Sequence, residues 1–261
     1  MAPLVAVRGV GHDYVARRRR RGVLENVSFT VSPGELVCIV GPSGVGKTTI
    51  LRCVAGLLAA TRGEVAIRGR ALDGPSRDVG LVFQDYNRSL MPWMSVQDNV
   101  ELPLRGRLGR RERRARAAAA LREVGLERHG ESRPWQLSGG MQQRVAIARA
   151  LAYGAPLLLM DEPFASVDAQ TRAGLEDLTL QVRDDTGQAI VLITHDVDEA
   201  IYLSDRIIVL GGSPASVVAE VAVPLGRSRE QLTTKSLPEF AALRTRVHTT
   251  IQDATRSMGG R

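Results

Sequence analysis

The chain has 261 residues, 44% hydrophobic and 24% charged, a globular composition that excludes a disordered chain or a fibre. Its length fits one large α/β domain or a domain with a subdomain, and with no apolar run near ~20 residues it cannot itself form a membrane pore. The net charge of +7 is local: Arg17 to Arg21 is one basic run, Arg105 to Arg128 holds nine arginines against Glu112, Glu123 and Glu127, and the remainder is acidic. In chain order, Leu4 to Val10 and Val23 to Val31 read as alternating strands separated by the Arg-rich loop. Pro33-Gly34-Glu35 is a turn. Leu36 to Val40 is continuously apolar, the mark of a strand buried on both faces. Thr49 to Leu58 reads as a helix and Val65 to Ile67 as a strand. From about 88 to 155 the chain becomes helix-rich, with Ala115, Ala119, Leu121 and Val124 near one face. Leu157 to Met160 and Ala189 to Ile193 return to the buried-strand pattern. Ile207 to Leu210 and Val217 to Val223 suggest a hairpin across Gly211-Gly212-Ser213-Pro214. After Leu225 a polar stretch leads to a capping-box pattern, Ser236 and Glu239. Phe240, Leu243, Val247 and Ile251 then predict a short C-terminal helix.

Two further features bear on class. Lys47 and Lys235 are the only lysines among 35 basic residues. Such a bias toward arginine weakens any reading of the basic runs, whose default is a solvated surface, with nucleic acid or anionic lipid as the other options. Cys38 and Cys53 are the only cysteines, both in apolar or helical settings, and read as reduced core residues of a cytosolic protein. The N-terminus shows no secretory signal.

Three segments carry chemistry. Gly41-Pro42-Ser43-Gly44-Val45-Gly46-Lys47-Thr48, with Thr49 next, matches G-x-x-x-x-G-K-[ST] between a buried strand and a helix. Its backbone N–H groups and the helix N-terminus suit phosphate oxygens. Lys47 is expected to reach the β- and γ-phosphates and the Thr48 hydroxyl to bind Mg²⁺. Leu157 to Met160 ends in Asp161 and Glu162. Asp161 is placed to hold Mg²⁺, and Glu162 to polarise an attacking water as general base. Ser138-Gly139-Gly140 opens a helix and reads as a second anion site.

With Leu137-Ser138-Gly139-Gly140-Met141-Gln142-Gln143-Arg144 the chain resembles the ABC-type ATPases, whose signature is LSGGQ followed by a basic helix; Met141 stands where the family usually has its first Gln. The resemblance implies further roles. Gln84 matches the loop glutamine that senses Mg²⁺ and the γ-phosphate, and His195 the switch histidine that contacts the γ-phosphate. Asp168 matches the acid of the following loop, and Tyr14 the aromatic that stacks on adenine. The implied fold is an α/β P-loop NTPase core with a mostly parallel sheet, an N-terminal antiparallel β subdomain and a helical insert. The implied division is an ATPase domain over 1–225, with its helical subdomain at about 88–155, and a polar linker with a short helix over 226–261. Phe83 to Trp93, ending Leu90-Met91-Pro92-Trp93, is similar to the loop of the nitrate/sulfonate/taurine-type importers.

The expected activity is ATP hydrolysis with ATP and Mg²⁺, energising an importer. The expected assembly is a dimer of this chain on integral membrane permease subunits at the cytoplasmic face of the membrane, served by a solute-binding protein. In that dimer one subunit supplies Lys47, Thr48, Gln84, Asp161, Glu162 and His195, and the other Ser138 and Gly140. The rival reading is an ABC-type ATPase acting on nucleic acid or ribosomes, motivated by the Arg clusters. Against it stand the single phosphate loop and the short insert, so no nucleic-acid partner is expected. A P-loop kinase or RecA-like motor does not explain Ser138-Gly139-Gly140 together with the acid pair and His195.

Overall fold

The computed structural model describes residues 2–16, 19–83, 89–165 and 167–259. Gln84 and Arg17 and Arg18 of the arginine run lie outside them. Strands β1 (Val5–Ala16), β2 (Arg19–Val31), β4 (Arg62–Ile67) and β5 (Arg70–Ala71) form an antiparallel sheet in the order β2-β1-β4-β5. A six-stranded sheet has the order β10-β9-β3-β8-β7-β6. Its members are β3 (Leu36–Val40), β6 (Val79–Val82), β7 (Leu157–Asp161), β8 (Ala189–Ile193), β9 (Arg206–Gly211) and β10 (Ser216–Ala222). Neighbours within it are parallel except β10, which runs antiparallel to β9.

The apolar runs explain this arrangement. Each of β3, β7 and β8 is buried along all five residues. Alternation then feeds two cores. Val37, Ile39, Leu157, Leu159, Val191 and Ile193 face the antiparallel sheet and α1 (Lys47–Val54). Leu36, Cys38, Val40, Leu158, Met160, Ile190 and Leu192 face the helical side. That side holds α2 (Val96–Glu101), α3 (Arg110–Glu123), α4 (Gly139–Tyr153), α5 (Ala169–Thr186), α6 (Val197–Leu203), α7 (Gln231–Lys235) and α8 (Pro238–Gly259). Both cysteines are buried and free. No helix among the described residues is long and apolar enough to cross a membrane.

Several local expectations need correction. Arg19 to Arg21 belong to β2, paired with Tyr14, Val15 and Ala16, rather than to a loop. The first helix begins at Lys47 and ends at Val54, because the phosphate loop leads straight into its first turn. Strands β5 and β6 were not expected; among the described residues β6 is a four-residue edge strand paired with β7. The buried stripe of α3 is Ala117, Ala120 and Leu121 with Val124 after it, while Ala115 is exposed. The Ser236 hydroxyl donates back to Leu232 O at 2.7 Å, closing α7 instead of opening α8. The last helix is not short: α8 runs 22 residues and buries Phe240, Val247 and Ala254.

Candidate active site

Parallel strands place their C-terminal ends at one edge of a sheet, where ligands bind in open α/β folds. Here β3, β8 and β7 are neighbours, so the segments leaving their C-terminal ends converge. The phosphate loop leaves β3, His195 comes just after β8, and Asp161 ends β7 with Glu162 next. A cavity of about 820 Å³ opens there, lined by Tyr14, Ser43, Gly44, Gly46, Lys47, Thr48, Thr49 and Glu162 of the expected residues.

The phosphate loop is tightly seated. At Gly41 (φ 154°) a Cβ would lie 2.5 Å from Leu210 O, so the strand-to-loop turn admits only glycine. The Val45 side chain is buried and anchors the loop. Lys47 is 7% exposed, and its Nζ donates to Gly41 O at 2.8 Å and Pro42 O at 3.1 Å. Burial lowers its pKa, with Glu162 and Asp161 opposing. The Thr48 hydroxyl donates to Asp161 Oδ1 at 3.4 Å. Burial raises the Asp161 carboxyl, against the Thr48 hydrogen bond.

Glu162 has φ 44°, a left-handed conformation uncommon for a residue with a Cβ. Its N–H donates to Ile193 O at 2.9 Å, tying the end of β7 to the end of β8. His195 Nδ1 lies 3.5 Å from Glu162 Oε2, with the histidine side chain 61% exposed and the glutamate 22%. Tyr14 is exposed at the cavity rim, in edge contact with His12 at 4.7 Å between centroids. His12 is itself buried, its Nδ1 3.0 Å from Ala59 O. The buried histidine thus lies against one edge of the tyrosine ring.

Ser138, Gly139 and Gly140 are not among the described cavity-lining residues. Ser138 is the N-cap of α4, accepting from Met141 N–H at 3.3 Å. Asp168 caps α5, accepting from Thr171 N–H at 3.0 Å and from its hydroxyl at 2.7 Å. Those two bonds lower the Asp168 carboxyl pKa. Gly140 packs so closely on Thr171 that a Cβ would collide with its methyl group. The structure thus groups Tyr14, the phosphate loop, Asp161, Glu162 and His195, and groups Ser138 to Gly140 with Asp168.

Two sets of residues escaped the sequence reading. Arg20, Arg21 and Val23 line the cavity; the signal was present in the arginine run following Tyr14. Glu199, 5% exposed, sits beside His195 and Asp196, its pKa pushed up to about 8 by burial first and then by Glu176 and Asp196. Nothing in the local pattern of α6 distinguishes that glutamate from a surface acid.

Known proteins share this architecture. Residues 24–165 match the ABC transporter family. The taurine import ATP-binding protein TauB of Pseudomonas aeruginosa is 43% identical over 89% of this chain and 89% of its own length. The aliphatic sulfonates import ATP-binding protein SsuB 2 of Burkholderia lata is 46% identical over 87% of this chain and 80% of its own. Among solved structures, the dimeric ATP-binding cassette MJ0796 in a post-hydrolysis state with ADP and Pi is 37% identical, with a TM-score of 0.74 over 84% of this chain and 98% of that one. An apolar sheet that ends in a phosphate loop and an acid pair, matched over most of its length by such relatives, leaves one conclusion: the chain belongs to the ABC transporter family, as one of its ATP-hydrolysing subunits.

Proposed function

We propose that this subunit energises import of a small sulfonate or a related organic anion, as a dimer of the chain on membrane permease subunits. It would sit at the cytoplasmic face, with a solute-binding protein delivering cargo to the permease. The observation that carries this reading is the separation within one chain of the catalytic cavity from the Ser138 to Gly140 turn. A helix start with an exposed serine suits a phosphate tail, and a second copy would bring it to one. The dimeric cassette relative supports that arrangement, and the import proteins among the relatives support the direction and the class of cargo. We read 1–225 as the ATPase domain, with a helical subdomain at about 88–155, and 226–261 as a linker and helix.

In this reading the phosphate-loop N–H groups, Lys47 and the start of α1 hold the β- and γ-phosphates. Glu162 takes the proton of a water attacking the γ-phosphorus, the bond to the bridging oxygen breaks, and ADP and phosphate leave. His195, 3.5 Å from Glu162, orients that carboxylate and contacts the γ-phosphate. Thr48 and Asp161 are hard oxygen donors close to each other and fit Mg²⁺, with Gln84 a further donor outside the described residues. When bound, Mg²⁺ would neutralise charge developing on the phosphates. Asp168 would act at the dimer interface from its cap on α5.

Two measurements test the reading. The tagged chain, extracted gently from native membranes, is expected to bring down a polytopic membrane protein in about equal amount. Recovery with nucleic acid or ribosomes and no membrane partner would favour the rival reading. Tyr14→Ala is expected to weaken ATP binding about tenfold, consistent with ~1–3 kcal/mol for aromatic stacking on a base, and Tyr14→Phe to restore it. Equal losses in both variants would remove stacking as the role.

A further inference from the structure

Among the described residues, neither Arg20 nor Arg21 bonds to the phosphate loop or the acid pair. In the β1–β2 hairpin Tyr14 lies directly across from Arg21, and Val15 across from Arg20. Side chains directly opposed in an antiparallel pair share a face, ~5 Å apart at Cβ. Tyr14, Arg20 and Arg21 all line the cavity that contains Lys47 and Thr48. Both arginines are exposed, and no ion pair is found for either among the described residues. Asp13, the carboxylate next to Tyr14, pairs with Arg62 at 3.1 Å. The cavity's other cation, Lys47, is turned onto two loop carbonyls. The described lining therefore carries three cations against Glu162 alone. This is a pocket electrostatically matched to a polyanion, with its uncommitted charge on the hairpin and not on the phosphate loop.

We propose that Arg21 is a second phosphate-binding element of the nucleotide site, with Arg20, opposite Val15 on the other face of the hairpin, adding charge where it too lines the cavity. The planar guanidinium presents several donors in a fork that matches phosphate oxygens. Projecting from the face that carries Tyr14, it lies over a nucleotide whose base rests on that ring and donates to the phosphate tail. The hairpin then grades ligands by charge, triphosphate above diphosphate above monophosphate. This inference rests on reading the cavity as the ATP site.

The test uses the full chain and measures ATP and AMP affinity at several salt concentrations. In R20A/R21A, ATP binding is expected to weaken about tenfold, on the scale of charge-assisted hydrogen bonds at a partly exposed site. AMP binding is expected to change far less, so the preference for ATP over AMP shrinks. The loss of ATP affinity with added salt becomes shallower. R20K/R21K keeps most of the affinity. R110A/R111A, which removes the same charge from exposed positions on α3, binds ATP like the unchanged chain. Thermal unfolding of the R20A/R21A chain is expected to match the unchanged one, since both side chains are exposed. Unchanged ATP affinity in R20A/R21A, equal losses for ATP and AMP, or an equal loss in R110A/R111A each overturn the proposal. Lys47→Ala separates it from its premise: that variant is expected to lose ATP binding, and full ATP binding without Lys47 would sink the ATP-site reading itself.

Discussion

Glu162→Gln is expected to stop turnover while leaving ATP bound. A positioned general base is worth ~10²–10⁴ in rate, and glutamine cannot accept the proton of the attacking water. The substitution is close to isosteric, and glutamine meets the same backbone demand at φ 44° as glutamate does. The N–H bond from residue 162 to Ile193 O is a main-chain bond and survives. Phosphate release in a single turnover should therefore fall by two orders of magnitude or more, with ATP affinity nearly unchanged. The closed dimer should then accumulate, seen as a shift to twice the mass in ATP and not in ADP. Turnover like that of the unchanged protein would mean that another group activates the water.

The second large effect concerns stability. Phe240 is fully buried at the start of α8, within the core on the helical face of the parallel sheet. Arg244, one turn on, covers its ring at 5.3 Å and is paired with Asp198 of α6. Phe240→Ala is expected to cost ~3–5 kcal/mol, the range for a large aromatic removed from a packed core. In a chain of this length that lowers the melting temperature by ~10 °C. Leu232→Ala, at a side chain 84% exposed, is the control and should stay within ~0.5 kcal/mol. Chemical denaturation of both variants decides the point. Equal stabilities would mean that α8 is an appendage, and that residues after 236 add nothing to the ATPase core.

Where the sequence was legible, one physical signal dominated each element. β3, β7 and β8 are buried on both faces, and only continuous apolar runs satisfy that. The phosphate loop and the acids after β7 were legible because their spacing is dictated by the turn that carries them. The strand at Arg19 to Arg21 was not. Its pairing is set by the partner strand across the hairpin, and arginine has no strand signature of its own. The stripe on α3 was misplaced because its alanines offer no contrast. Ala115 and Ala117 differ in burial only through what packs on them, α2 and α4. Ser236 had the right chemistry for a cap, but the nearer carbonyl of Leu232 took its hydroxyl. Hidden at the site were neighbours brought in by folding: Arg20, Arg21 and Val23 at the rim, and Glu199 beside the histidine.

The contact between Gly140 and Thr171 has a mechanical meaning. Thr171 is pinned by both of its polar groups to Asp168, and Gly140 leaves no slack against it. The turn that opens α4 and the cap that opens α5 therefore behave as one stiff joint. On the near side of that cap, the Ala165 N–H is bonded to Glu162 O. Thr171→Gly, which removes the hydroxyl bond to Asp168 and the methyl group against Gly140, is expected to loosen that joint, read as faster amide hydrogen exchange in the first turns of α4 and α5.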